Sequence, residues 1–242
     1  MAGNTFPVKR AWPALAACLG SAAWTMPAIA EDAGNIEAPA SWEVEAELAV
    51  ASDYRFRGVS LSNKRPAVQP GLSISHESGF YAGWWGSNIA ENGGANIESD
   101  LQVGFSHEAG PLQIDVSANW YTYPGASANN YIELTGRAST PVAGGEVGLG
   151  YAFAPGQSGT GGRDNHYIAL DSRFPIAGTA LVVHDQIGLE NGAFGDWKRD
   201  WSIGVALELG NITLDLNYVD SARAGGDPSA NAAVVATLTG TF

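Results

Sequence analysis

The stretch Trp201–Tyr218, WSIGVALELGNITLDLNY, decides the fold. Trp201, Ile203, Val205, Leu207 and Leu209 alternate with Ser202, Gly204, Ala206 and Glu208. After Gly210-Asn211 the alternation resumes, with Ile212, Leu214, Leu216 and Tyr218 set against Thr213, Asp215 and Asn217. Period two belongs to a strand with one apolar and one polar face, and a short Gly-containing break between two such runs is a hairpin. The rhythm returns elsewhere. Trp42, Val44, Ala46, Leu48 and Val50 alternate with Glu43, Glu45 and Glu47, and Leu112, Ile114, Val116, Ala118 and Trp120 with Gln113, Asp115, Ser117 and Asn119.

Followed along the chain, the pattern gives about twelve strands, near 42–57, 66–76, 79–89, 97–107, 111–122, 130–139, 145–154, 165–174, 178–189, 198–209, 211–220 and 231–242. Their links sort by parity. The odd ones are long and polar (GVSLSNKR, ENGGAN, YPGASANN, APGQSGTGGRDN, ENGAFGDWKR, SARAGGDPSA), and the even ones are tight (HESG, HEAGP, TPVAGG, FPIAG, LGN). Alternating long and short links are the pattern of a transmembrane barrel with external loops and periplasmic turns. After residue 30 no apolar run is long enough for a membrane helix. Closing the sheet also removes the strand edges that hydrocarbon would not tolerate. On the first strand Trp42 at one end and Tyr54 and Phe56 at the other bracket the apolar row as an aromatic girdle would. The fold expected is all-β, a transmembrane antiparallel up-and-down β-barrel over residues 42–242.

Ahead of it, Lys9 and Arg10 precede the apolar run Ala11–Trp24, and Ala28-Ile29-Ala30 has the small residues of a cleavage site. Residues 1–30 are therefore expected to be a cleaved signal peptide, and 31–41 a short periplasmic segment. Leu15-Ala16-Ala17-Cys18 also fits a lipoprotein site, so lipidation of Cys18 stays open. Cys18 is the sole cysteine, which leaves the barrel without disulfides, thiol nucleophiles or thiolate ligands. At the other end, the terminal strand finishing on Phe242 has the form of an assembly signal read by the barrel-assembly machinery.

The formal net charge is −13, from 25 acidic and 12 basic residues, and a chain so acidic has no footprint for nucleic acid. Yet Arg55, Arg57, Lys64 and Arg65 fall within eleven residues of one another. Parity with Glu43, Glu45 and Glu47 places Asp53, Arg55 and Arg57 on the lumen face at the external mouth, with Tyr54 and Phe56 toward lipid. Lys64 and Arg65 fall in the first external loop, where lipopolysaccharide phosphates and outer-membrane lipid are the expected contacts. Further down the lumen, Glu133 is expected to pair with Arg137 and Asp171 with Arg173. Carboxylates outnumber arginines on this face, which favours cations.

Three motifs invite chemistry. His76-Glu77 and His107-Glu108 lack a second His four residues on, so they read as strand ends meeting glycine turns rather than a zinc helix. His184-Asp185 interrupts a strand and puts Asp185 on the apolar face, with Ser172 as the nearest candidate nucleophile for a lipid-facing triad. Gly-rich APGQSGTGGRDN lacks the GK[ST] ending of a phosphate loop. No catalytic residue, cofactor motif or metal-ligand spacing is read, and nothing in the sequence fixes an oligomeric state.

Ser52-Asp53-Tyr54-Arg55-Phe56-Arg57-Gly58, Ser60, Ser62, Pro66-Ala67, Gln69 and Gly79-Phe80-Tyr81-Ala82-Gly83 resemble the N-terminal block of the TorF family of porins, also described as Gcw_chp proteins. The resemblance implies an exported proteobacterial barrel. Pro70 stands where that family more often has Gly, and a bulge is expected there. Residues and resemblance together point to an outer-membrane porin, a passive channel for small polar solutes with weak cation preference. The alternatives are a lipid-acting barrel enzyme, a non-conducting structural barrel and a soluble secreted β-protein.

Overall fold

The computed structural model describes residues 41–242; the signal-peptide readings at Ala28 and Ala30, Cys18 and nearly all of the segment 31–41 lie outside them. Among the described residues the ascending strands are β1 (Trp42–Ala51), β5 (Phe80–Asn92), β7 (Leu112–Thr122), β9 (Gly145–Ala154), β11 (Leu181–Gly192) and β13 (Ile212–Ala222). They alternate with β4 (Ala67–His76), β6 (Ala95–Ala109), β8 (Tyr131–Val142), β10 (Asn165–Pro175), β12 (Lys198–Leu209) and β14 (Ala233–Thr241). These twelve form one closed antiparallel barrel, and β2 (Arg55–Phe56) with β3 (Val59–Ser60) forms a separate two-stranded ribbon. β14 closes the barrel on β1, from Glu47 opposite Thr241 to Ala51 opposite Thr237. The two ends of the barrel are thus a terminal end, with Trp42 and Phe242, and a loop end.

Alternation decides which face is which. Val44, Leu48 and Val50 of β1, Leu214 and Leu216 of β13 and Val234 and Leu238 of β14 are all exposed on the outside. Glu47, Gln69, Glu98, Asp100, Asn119 and Asn217 are buried inside. The barrel is apolar outward and polar inward, the reverse of a water-soluble protein.

Four sequence expectations are corrected here. β1 ends at Ala51 rather than running to residue 57, because the chain turns inward at Ser52. ENGGAN is no long loop, since β5 and β6 continue to a turn at Gly93-Gly94, both at positive φ. Pro70 causes no bulge against β1, where it pairs in register with Leu48. Its missing N–H instead coincides with the end of the β4–β5 ladder at Gly71. Above that point the Asn88 side chain takes over, accepting from the Val68 amide at 2.7 Å and donating to the Pro66 carbonyl at 3.1 Å. Finally, Tyr54 and Phe56 do not face outward. Tyr54 is buried edge-on to Trp85, and Phe56 packs inside the barrel against Tyr121.

The His-Glu segments are hairpin ends, with Gly79 and Gly110 at positive φ in their turns. Asp185 does lie on the outer face, without a bulge, opposite Ser172 and hydrogen-bonded to it. His184 lies on the inner face, where its Nε2 meets Asp215. The three residues of the supposed triad are split by the barrel wall.

Candidate functional site

The distinctive feature of the lumen is the segment 52–65, which folds into the loop end as a strap. Its tip is a two-residue hairpin turn with Arg57 at φ 48° and Gly58 at φ 83°, a type I′ geometry joining β2 to β3. Asp53 organises the base of the strap. Its carboxylate accepts Arg55 Nε at 2.7 Å on one oxygen, and Ser60 Oγ and Ser62 Oγ on the other. Arg55 then reaches out, donating through Nη1 to the carbonyls of Gly58 and Asn231. Leu61 is tied to β5 through the Ala90 amide at 2.7 Å.

Arg57 crosses the lumen. Nη2 donates to Glu133 of β8 at 2.7 Å and Nη1 to Glu190 of β11 at 2.8 Å. The guanidinium carbon lies 4.2 Å from the Tyr167 ring centroid and 4.6 Å from that of Phe56, both within cation–π range. Lys198 of β12 pairs with the second Glu190 oxygen at 2.6 Å and donates to the Arg57 carbonyl at 2.9 Å. Arg57, Glu133 and Glu190 are each at most 2% exposed. Around them pack Phe56, Tyr121, Tyr131 and Phe194, with the Tyr121 and Tyr131 rings stacked 4.5 Å apart. Charges this dry are tolerable only because they are paired and hydrogen-bonded.

Toward the terminal end the lumen opens. Arg137 holds Asp171 in a two-pronged contact, at 3.1 Å and 2.5 Å, and reaches Glu146 at 2.9 Å. Arg173 pairs with Glu208, and His184 with Asp215. The Arg137 and Arg173 side chains are 24% and 27% exposed, so solvent reaches them from this side. The expected pairs Glu133–Arg137 and Asp171–Arg173 are not made. Residues two or four apart on one strand face point side by side, and cross-strand partners reach each other better. Glycines on the inner face allow such reach: a Cβ at Gly148 would sit 2.3 Å from Arg137 Nη2.

Asp53, Arg55 and Arg57 lie in the loop end on the strap, Glu133 beside them on the wall, and Arg137, Asp171 and Arg173 in the open half. Lys64 and Arg65 are exposed at the outer edge of the strap. Beside Lys64, Asp227 is held below the ordinary carboxylate range, chiefly by hydrogen bonds from Ser229, with the Lys64 ammonium adding less. Phe242 is paired through its backbone with Ala46, at 2.9 Å and 3.0 Å, while its ring is exposed. Sequence reasoning missed Glu190, Lys198, Tyr167 and Asp200. The sequence pattern puts Glu190 in the loop ENGAFGDWKR, although it shares the inward parity of His184 and Gln186.

A closed antiparallel barrel is an architecture that solved structures share. The KdgM porin is similar over 82% of this chain and 97% of its own, with a TM-score of 0.57 at 6% identity. The NanC porin is similar over 82% and 98%, with a TM-score of 0.52 at 10% identity. KdgM has also been solved in complex with disordered oligogalacturonate, at a TM-score of 0.55. Identities this low establish the fold. The chain belongs to the family described as "Bacterial protein of unknown function (Gcw_chp)", whose model matches residues 35–242. No protein of curated function matches it in sequence.

Proposed function

We propose that this protein is an outer-membrane porin of the TorF type, a passive channel for small polar solutes narrowed at its external mouth by the strap. The observation that carries this reading is the inside-out barrel: an apolar exterior around a lumen of charged side chains that solvent reaches from one end. An exposed apolar band of this extent belongs in lipid. In this reading the loop end is external and the terminal end periplasmic. Lys64 and Arg65 contact lipopolysaccharide phosphate, and Phe242 is read by the barrel-assembly machinery. The lumen is weakly cation-preferring, since Glu43 and Glu45 line β1 with no ion pair among the described residues, while Arg137 and Arg173 are already paired with carboxylates.

The filled loop end favours a closed resting state, so conduction requires the strap to yield. Reversal potentials in planar bilayers under a KCl gradient test this reading. A shift toward the potassium equilibrium potential is expected. Clear anion selectivity would reject the lumen assignment, and absence of current from both the wild type and strap variants would support a non-conducting structural barrel.

A further inference from the structure

Every strong contact of the Arg57 guanidinium except that with Phe56 comes from the barrel wall. Glu133 stands on β8, Tyr167 on β10 and Glu190 on β11. These groups are held in place independently of Arg57. Glu190 accepts from Asn165 at 3.0 Å and pairs with Lys198, and Glu133 accepts from Tyr121 at 3.3 Å. Tyr167 donates to Asp200 at 2.8 Å and accepts from Gln186 at 2.9 Å. Only the occupant is carried by a loop.

Two carboxylates spaced to take the two Nη groups of one planar cation, with an aromatic face against it, match a guanidinium better than a spherical ion. We infer that Glu133, Glu190 and the Tyr167 ring form a receptor for guanidinium groups, which Arg57 fills as a tethered occupant. Solutes carrying a guanidinium compete with it for this site, and their binding releases the strap. The inference rests on the channel reading and adds a solute class to it. Lys198 offsets part of the negative charge, but with Arg57 withdrawn Glu133 and Glu190 still outnumber it. The emptied receptor therefore attracts a cation.

The test replaces Arg57→Ala in the full chain and supplies guanidinium chloride at millimolar concentration, far below the denaturing range. In planar bilayers sodium current through the variant should fall saturably with guanidinium and much less with equal tetramethylammonium. Adding Glu133→Gln and Glu190→Gln should raise the half-blocking concentration by about tenfold or more, the scale of losing charged partners at a buried site. In detergent, guanidinium should raise the temperature at which folded Arg57→Ala converts to its heat-denatured electrophoretic form, because a ligand of the native state stabilises it. The triple variant should show no such rise. Arg57→Lys, which keeps a charge in the receptor without the fork, serves if the alanine variant does not assemble, with block expected at higher guanidinium concentration. Absence of current from a folded variant that guanidinium still stabilises would refute the channel and keep the receptor. Equal effects of guanidinium and tetramethylammonium, or effects unchanged by the two glutamine substitutions, would overturn the receptor whether or not the barrel conducts.

Discussion

Gly188 shows how a missing side chain can position a buried one. A Cβ there would lie 2.1 Å from the Tyr167 hydroxyl, so Tyr167 can lie across β11 and reach Asp200 only because position 188 is glycine. Gly188→Ala should push the ring off Asp200 and out from under Arg57. A loss of about 1–3 kcal/mol is expected, the usual cost of overpacking, read as a lower temperature of heat modification. An unchanged temperature would mean that the ring has another resting place. At this scale the sequence was only partly legible. The parity of Glu133 and the presence of Arg57 in the lumen could be read from alternation. The bond between them joins residues 76 apart, and no local pattern encodes it. The turn that aims Arg57 was also hidden, because Arg-Gly lacks the strong type I′ preference of Asn-Gly or Asp-Gly.

At the scale of elements, eleven of the twelve expected strands recur within about three residues of their limits, since each has one face in the lumen and one outside and so carries the period-two signal. The exception is the first. Its alternation continues through Asp53, Tyr54, Arg55, Phe56 and Arg57, yet the chain leaves the barrel wall at Ser52 and folds into the lumen. The strap is itself a ribbon with strand-like alternation, so periodicity does not distinguish it from a longer β1. Tyr54 and Phe56 could have warned of this, since an aromatic pair serves equally well as a membrane girdle or as the apolar anchor of a plug. Two expectations belong to elements. Deleting Phe242 removes the backbone pair with Ala46 at the closing seam. The amount of heat-modifiable barrel recovered from the outer membrane should fall several-fold, and wild-type recovery would refute an assembly role. Replacing Lys64 and Arg65 with Gln should leave conductance within about 20% of wild type while weakening association with lipopolysaccharide, because both residues are exposed at the outer edge of the strap and a contact with phosphate would be electrostatic. A changed conductance with unchanged lipopolysaccharide association would reverse that assignment.

For the whole molecule, the inside-out faces were legible in the sequence, because a closed barrel imposes an apolar outer and a polar inner face on every strand at once. The parity of links was legible in all but ENGGAN, where β5 and β6 meet at a tight turn. What could not be read was how the lumen is filled, since that depends on one segment folding back through the ring of strands. Two consequences follow from the filled state. The open half of the lumen faces the terminal end and carries ion pairs that solvent screens. The closed half holds Arg57, Glu133 and Glu190 in a dry site where each charge depends on the others. Breaking such a group by removing one partner costs about 3–5 kcal/mol. The β1–β14 seam does not include these side chains, so the cost should fall on the strap rather than on barrel closure. The most direct measurement is therefore the single-channel conductance of Arg57→Ala against the wild type in the same planar bilayers, with heat-modifiable migration confirming that both are folded. A larger or more frequently open cation-preferring conductance in the variant is the expected result. Identical traces from the two folded proteins would contradict the strap as the element that closes this lumen.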